Sequence, residues 1–272
     1  MSMLQVSNLT IKDTKNGQVI VKNISFSIEA HTCLAIVGES GSGKSMTVKA
    51  ISGLHNPWIH CNGKVLFERV NLLGQTTKAM QEIRGNQIFM IFQDGTSAFD
   101  PSCTIGETFS EILLENHQCT KKDVESSMIA ALEKVLLRNP LELLKKYPHQ
   151  LSGGMLQRTM IAISLALGAK LIIADEPTTA LDTITQYEVV KEFIRLRQEY
   201  AATMIFISHD LGIVRKIADY VILMKDGELV EEGPVEEIFQ HPKSSYAKYL
   251  IGTRRELGEN YNQLMGGNLQ NA

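Results

Sequence analysis

No two cysteines in this chain of 272 residues form a Cys-x-x-Cys pair: Cys33, Cys61, Cys103 and Cys119 are scattered. That spacing excludes a zinc knuckle and a disulfide framework and reads as four reduced thiols in a cytosolic chain. No excess of charge of one sign is present either, with 27 basic against 30 acidic residues and a net charge of −3. Wrapping of nucleic acid by a bulk basic field is therefore excluded. No apolar run approaches the ~20 residues of a membrane span. The first ten residues lack the basic start and apolar middle of an export signal. Any work at a membrane is expected to be done from its side, through a partner. No internal repeat is visible, and no aromatic residue precedes Phe26.

What is present is patterned, and 44% hydrophobic content suffices for one large α/β domain or two small ones. Ile24, Phe26 and Ile28 alternate with Ser25, Ser27 and Glu29, the period of a half-buried strand, and Leu4, Val6 and Leu9 indicate another. The continuous apolar run 33–37 ends in a glycine loop, and a helix is expected over 47–54. Further strands are read over 63–70 and 87–92, the second entering Gln93-Asp94-Gly95. Between 103 and 150 the character is helical: Met128, Ile129, Leu132, Val135 and Leu136 recur at helical spacing, and Asn139-Pro140 reads as an N-cap and first-turn pair. A helix over 154–167 stops at Gly168, followed by a buried strand at 171–174, a helix after Asp182, a strand at 203–208 and a helix after Asp210. A hairpin joins 220–224 to 228–230 through Lys225-Asp226-Gly227. Alternating strands and helices imply an α/β fold whose mostly parallel sheet is covered on both faces. The polar segment 253–272 is expected to be loosely ordered.

Gly38-Glu39-Ser40-Gly41-Ser42-Gly43-Lys44-Ser45, followed by Met46, has the spacing of a phosphate loop in a strand-to-helix context. Its backbone N–H groups converge on an anion and the helix N-terminus adds positive potential; Lys44 reaches the β- and γ-phosphates, and Ser45 ligates Mg²⁺. An incidental glycine turn is set aside because the strand and helix flank it. The apolar strand ending in Asp175-Glu176 supplies a carboxylate for Mg²⁺ and then one to orient and polarise an attacking water. Gln93 offers an amide oxygen to the metal or the water, and His209, ending another apolar strand, a donor to the γ-phosphate. A second anion-ready helix start, Ser152-Gly153-Gly154, is surplus to one nucleotide site.

Taken together, the chain resembles the ATP-binding subunits of ABC transporters over essentially residues 3–252. Residues 38–45 match the Walker A motif, Gln93 the Q-loop, Leu151-Ser152-Gly153-Gly154-Met155 the signature, 171–176 the Walker B motif with its catalytic glutamate, Ala180-Leu181-Asp182 the D-loop, and His209 the switch histidine. Ile91-Phe92-Gln93-Asp94, Tyr147-Pro148-His149-Gln150 and the ending Ile238-Phe239-Gln240-His241-Pro242 with Tyr246 and Leu250 are similar to the oligopeptide, dipeptide and nickel import branch. The resemblance implies a P-loop NTPase with a RecA-like core, an antiparallel β subdomain and a helical subdomain at about 103–168, all within 1–252. It implies hydrolysis of ATP with Mg²⁺ at the cytoplasmic face of the membrane. The partners implied are a second, different ATPase subunit, two permeases and, indirectly, an external solute-binding protein, with no nucleic acid. The signature helix would cap the nucleotide of the partner subunit.

Two departures stand out. Where relatives stack adenine on an aromatic, this chain has only Val19, Ile20 and Val21, so an aliphatic contact is expected. No cysteine follows Cys119, which removes the iron–sulfur extension of some peptide importers; the short ending is more like nickel-type subunits and points toward metal or metal-chelate cargo, with peptides as the alternative. His55, His60 and Cys61 fit no usual ligand spacing, and Trp58 reads as a packing residue. A soluble ABC ATPase of DNA repair or translation is disfavoured, because neither a second cassette nor a coiled-coil insertion is seen. A small-molecule kinase would have no use for the signature.

Overall fold

The computed structural model describes residues 2–116 and 120–253; Cys119 and the tail beyond 253 lie outside them. The chain opens with β1 (Ser2–Asp13) and β2 (Val19–Glu29), paired antiparallel. In β1 the buried positions are Leu4 and Val6, then Leu9 and Ile11. Asn8, at φ 52, inserts an irregularity that changes the parity, without which Leu9 and Ile11 would face solvent. The segment 33–37 forms β3 (Cys33–Val37), and α1 (Lys44–Ile51) starts at Lys44, three residues before the expected 47. The strand expected over 63–70 is two strands, β4 (Ile59–Phe67) and β5 (Val70–Asn71), because Glu68 and Arg69 both take positive φ and close a tight turn. The helix α2 (Thr77–Asn86), not expected from the sequence, buries only Met80. With so little apolar face its periodicity is too weak to read.

The strand β6 (Ile88–Ile91) leads into the helices α3 (Ile105–Glu115), α4 (Val124–Lys134) and α5 (Pro140–Leu143). A capping box between Thr104 and Glu107 starts α3. Two expectations here are corrected. Leu136 is 62% exposed at φ 56, beyond the end of α4, and Leu137 takes the buried place. Asn139 precedes Pro140, but its left-handed backbone leaves its side chain without a capping bond.

Next come α6 (Gly153–Ala166), β7 (Leu171–Asp175), α7 (Thr183–Tyr200), β8 (Thr203–Ile207) and α8 (Leu211–Ile217). The hairpin β9 (Tyr220–Lys225) and β10 (Glu228–Pro234), α9 (Val235–Gln240) and a helical stretch at 245–253 complete the described chain. β10 runs four residues past the expected 230.

Two sheets result: β2-β1-β4-β5, all antiparallel, and β10-β9-β3-β8-β7-β6, parallel except for the edge strand β10. Alternate residues of the parallel strands serve two apolar layers. Leu34, Ile36, Ile173, Ile205, Ile207 and Ile222 pack with the antiparallel sheet and α1. Ala35, Val37, Ile172, Ala174, Met204 and Phe206 pack under the helices. Burial on both faces is why these strands read as unbroken apolar runs.

The β9–β10 turn joins the two sheets. Gly227 donates its N–H to the Ser42 carbonyl (3.2 Å) and accepts from the Lys22 N–H (2.7 Å). Its φ is +81, and a Cβ there would stand 2.4 Å from the Ile20 oxygen. No described helix is long and apolar enough to cross a membrane.

Candidate functional site

Parallel strands deliver their carboxyl ends to one edge of the sheet, and the candidate residues lie there. The loop between β3 and α1 buries Gly38, Ser42, Gly43 and Lys44, exposes Glu39, Ser40 and Gly41, and half-buries Ser45 and Met46. Met46 turns its side chain into the inner apolar layer. Lys44 donates from Nζ to the Gly38 and Glu39 carbonyls, both at 2.9 Å, and stands 4.0 Å from Glu176 Oε1. Burial pulls its pKa down, while Glu176 and Asp175 pull it back.

Ser45 Oγ donates to Asp175 Oδ1 at 2.8 Å. Burial raises the Asp175 pKa, opposed by the Ser45 hydrogen bond and by Lys49 and Lys44. Glu176 follows β7 with φ 47, a left-handed turn that takes its side chain off the strand direction. There Thr179 Oγ1 donates to Oε2 at 3.0 Å, and His209 Nδ1 lies 3.5 Å from the same oxygen. Lys44, Ser45, Asp175, Glu176 and His209 are thus one connected cluster. A polar cleft of about 420 Å³ lined by Thr178, Thr179, Leu181, Gln186, Ser208, His209 and Asp210 adjoins it. A larger cleft of about 480 Å³, between the antiparallel sheet and β9–β10, contains none of these groups.

Gln93 stands two residues beyond β6, at the same edge and exposed, with no hydrogen bond from its amide to Ser45 or Asp175. The loop carrying it is held instead by Gln157 of α6, whose Nε2 donates to the Phe92 and Gln93 carbonyls at 2.9 and 3.2 Å. Gln157 is not marked in the sequence, since a glutamine inside a helix carries no signal of its partner. Ser152, Gly153 and Gly154 do not join the cluster. Ser152 Oγ accepts from the Met155 N–H, capping α6, and the glycines pack against the start of α7. A Cβ on Gly154 would stand 2.1 Å from Thr185 Cγ2, and one on Gly153 2.9 Å from Leu181 Cδ2. Asp182 caps α7 by accepting from the Ile184 and Thr185 N–H groups.

One further expectation is revised. Val21 is fully buried against Gly43, so only Val19 and Ile20 offer an aliphatic surface beside the loop. Trp58 packs at the surface: it is 36% exposed with Lys15 Nζ 3.5 Å over its ring. Burial pushes the Cys61 thiol up to about 11, which disfavours the thiolate that a metal needs. Among the described residues no group of His, Cys, Asp or Glu is arranged to hold a metal by itself.

Does the cluster suit magnesium carried by a nucleotide? The Ser45 hydroxyl and the Asp175 carboxylate are hard oxygen donors, and their 2.8 Å separation is close to the edge of an octahedron with ~2.1 Å bonds, about 3.0 Å. A site with one or two protein oxygens and the rest from phosphate and water is the usual magnesium arrangement. The residues fit.

Residues 21–179 match the ABC transporter family. The chain is 42% identical over 269 residues, 99% of each chain, to the metal-staphylopine import system ATP-binding protein CntD of Staphylococcus aureus (strain NCTC 8325 / PS 47). It is 42% identical over 235 residues, 86% of this chain and 70% of the relative, to the oligopeptide transport ATP-binding protein OppD of Lactococcus lactis subsp. cremoris (strain SK11). Its fold superposes with a TM-score of 0.75 and 28% identity on the ATP-binding cassette MJ0796, solved as a post-hydrolysis dimer bound to ADP and Pi, covering 86% of this chain and 99% of that one. The chain belongs to the ABC transporter family, among the ATP-hydrolysing subunits of its import branch.

Proposed function

We propose that this chain is the ATPase of a metal-chelate importer. The observation that supports the cargo class is the likeness to the metal-staphylopine subunit, which spans 99% of that subunit's own length, whereas the likeness to the oligopeptide subunit spans 70% of its length. That second likeness supports a di- or oligopeptide cargo as the other reading.

In this proposal Gly38 to Met46 cradle the phosphates, and Lys44 leaves the Gly38 and Glu39 carbonyls for the terminal ones. Ser45 and Asp175 hold Mg²⁺ with Gln93 beside them; the ion, when bound, offsets charge developing on the phosphate oxygens. Glu176 orients the attacking water and accepts its proton, steadied by Thr179. His209, whose Nδ1 stands 3.5 Å from the same carboxylate, donates toward the γ-phosphate. The helix start at Ser152, Gly153 and Gly154, turned away from the chain's own cluster, faces the nucleotide of a second, different ATPase subunit. Residues 1–252 act as one ATP-binding unit, with the helical part at 103–168 against the permease. The assembly has two permeases and an external binding protein, and this chain sits at the cytoplasmic face.

The test is reconstitution of the complex in vesicles. A binding protein loaded with metal-chelate is expected to stimulate ATP hydrolysis, and one loaded with peptide is not. The reverse result transfers the chain to the peptide reading, and stimulation by neither overturns the import reading.

A further inference from the structure

The loop at 38–45 is also touched by the C-terminal end of the described chain, far from it in sequence. Tyr246, in the helical stretch 245–253, is 6% exposed, and Lys225 Nζ stands 5.2 Å from its ring centroid. The Glu39 N–H donates to its hydroxyl at 3.2 Å, across 207 positions of sequence. The other half of that same peptide group is held as well, the Gly38 carbonyl accepting from Lys44 at 2.9 Å. N–H and C=O point in opposite directions in a trans peptide. Tyr246 and Lys44 therefore grip the first peptide of the loop from its two edges.

The hydroxyl stands on a fixed platform. Ser244 Oγ accepts from the Ala247 N–H at 3.0 Å, capping the helix. Glu231 of β10 accepts from the Lys243 and Ser244 N–H groups at 2.8 and 2.7 Å. Burial pushes the Glu231 carboxyl up, but hydrogen bonds from Ser244 and Lys243 outweigh it and hold the group below its ordinary value. Ala247 and Ile251 are buried in the outer apolar layer.

We propose that Tyr246 is a positioning residue for nucleotide binding: the C-terminal helix, anchored through Glu231, sets the Gly38–Glu39 peptide and so preorganises the loop. The inference rests on the assignment of residues 38–46 as the phosphate cradle. Removing the hydroxyl keeps the ring packing but takes the acceptor from Glu39, and ordering that peptide then draws on the binding free energy of ATP. Tyr246 has no contact with Glu176, so affinity falls while the chemical step does not.

Tyr246→Phe is expected to raise the Kd for ATP of the chain about five-fold, the equivalent of one neutral hydrogen bond. In the assembled transporter KM for ATP rises with kcat unchanged. Glu231→Gln raises Kd in the same direction, and the double variant is no weaker than Tyr246→Phe alone, because both act through one contact. Tyr249→Phe, on the same helix and 60% exposed, leaves Kd unchanged. An unaltered Kd in Tyr246→Phe, or additive losses in the double variant, overturns the proposal. Should Tyr246→Phe fail to fold, an unaltered Kd in Glu231→Gln does the same. Lys44→Ala separates the two layers: if it binds ATP like wild type, the cradle assignment falls; if it loses binding while Tyr246→Phe keeps it, only the role of Tyr246 falls.

Discussion

The Ser45 hydroxyl donates to the Asp175 carboxylate across 2.8 Å, tying the first turn of α1 to the last residue of β7. Burial raises the Asp175 pKa above its ordinary value more than the Ser45 bond and the neighbouring lysines lower it. A carboxyl raised on folding favours the fold below its unfolded pKa, and that contribution is lost as the pH rises through the folded value. At neutral pH without nucleotide, the ionised Asp175 therefore costs the protein stability.

Asp175→Asn is accordingly expected to raise the melting temperature at pH 7 without nucleotide, with the gain shrinking toward pH 4, and to lose magnesium-dependent turnover. Thermal melts across that pH range read the first effect. A variant no more stable than wild type at pH 7 would remove the burial argument.

Glu176→Gln keeps the size of the side chain and its neighbours Thr179 and His209 but removes the proton acceptor. Turnover should fall by about 10²- to 10⁴-fold, the range of a general base, while ATP affinity is retained. Phosphate release and nucleotide titration on the same preparation separate the two, and near-normal turnover would dismiss Glu176 as the base.

Gly154→Ala drives a methyl to 2.1 Å from Thr185 Cγ2 and is expected to destabilise the fold by about 1–3 kcal/mol, the usual cost of overpacking. Thr185→Ser in the same chain removes the offending methyl and keeps the 2.6 Å bond to Asp182 Oδ2, so it should restore most of the loss. Denaturant midpoints of the single and double variants decide the point, and an unrescued double variant refutes the contact.

Gln157→Leu leaves the Phe92 and Gln93 carbonyls without their shared donor. A loss of about 1–3 kcal/mol follows from two lost hydrogen bonds at about 0.5–1.5 kcal/mol each. Turnover should fall more than ATP affinity, because the freed loop is the one that carries Gln93. Equal kinetics with and without Gln157 would contradict that coupling.

Much of this was readable beforehand for identifiable reasons. The strands 33–37, 171–174 and 203–207 announce themselves because burial on both faces leaves no room for polar residues. Gly38 to Ser45, Asp175, Glu176 and His209 follow from what a phosphate and a metal require of neighbouring residues. What escaped are contacts between residues far apart in the chain. Gln157 to Phe92 and Tyr246 to Glu39 join ordinary residue types across 65 and 207 positions, and nothing local marks them. The helix α2 was lost because a single buried methionine makes no periodic pattern.

Hairpin tips are ordinarily where a chain accepts a tag, a cut or a new terminus. The tip at Gly227 is closed to all three, since its two backbone groups are committed to Ser42 and Lys22 and its missing Cβ makes room for the Ile20 oxygen. A label inserted there, or a circular permutation opened at 226–227, would let go of the phosphate loop and the antiparallel sheet together.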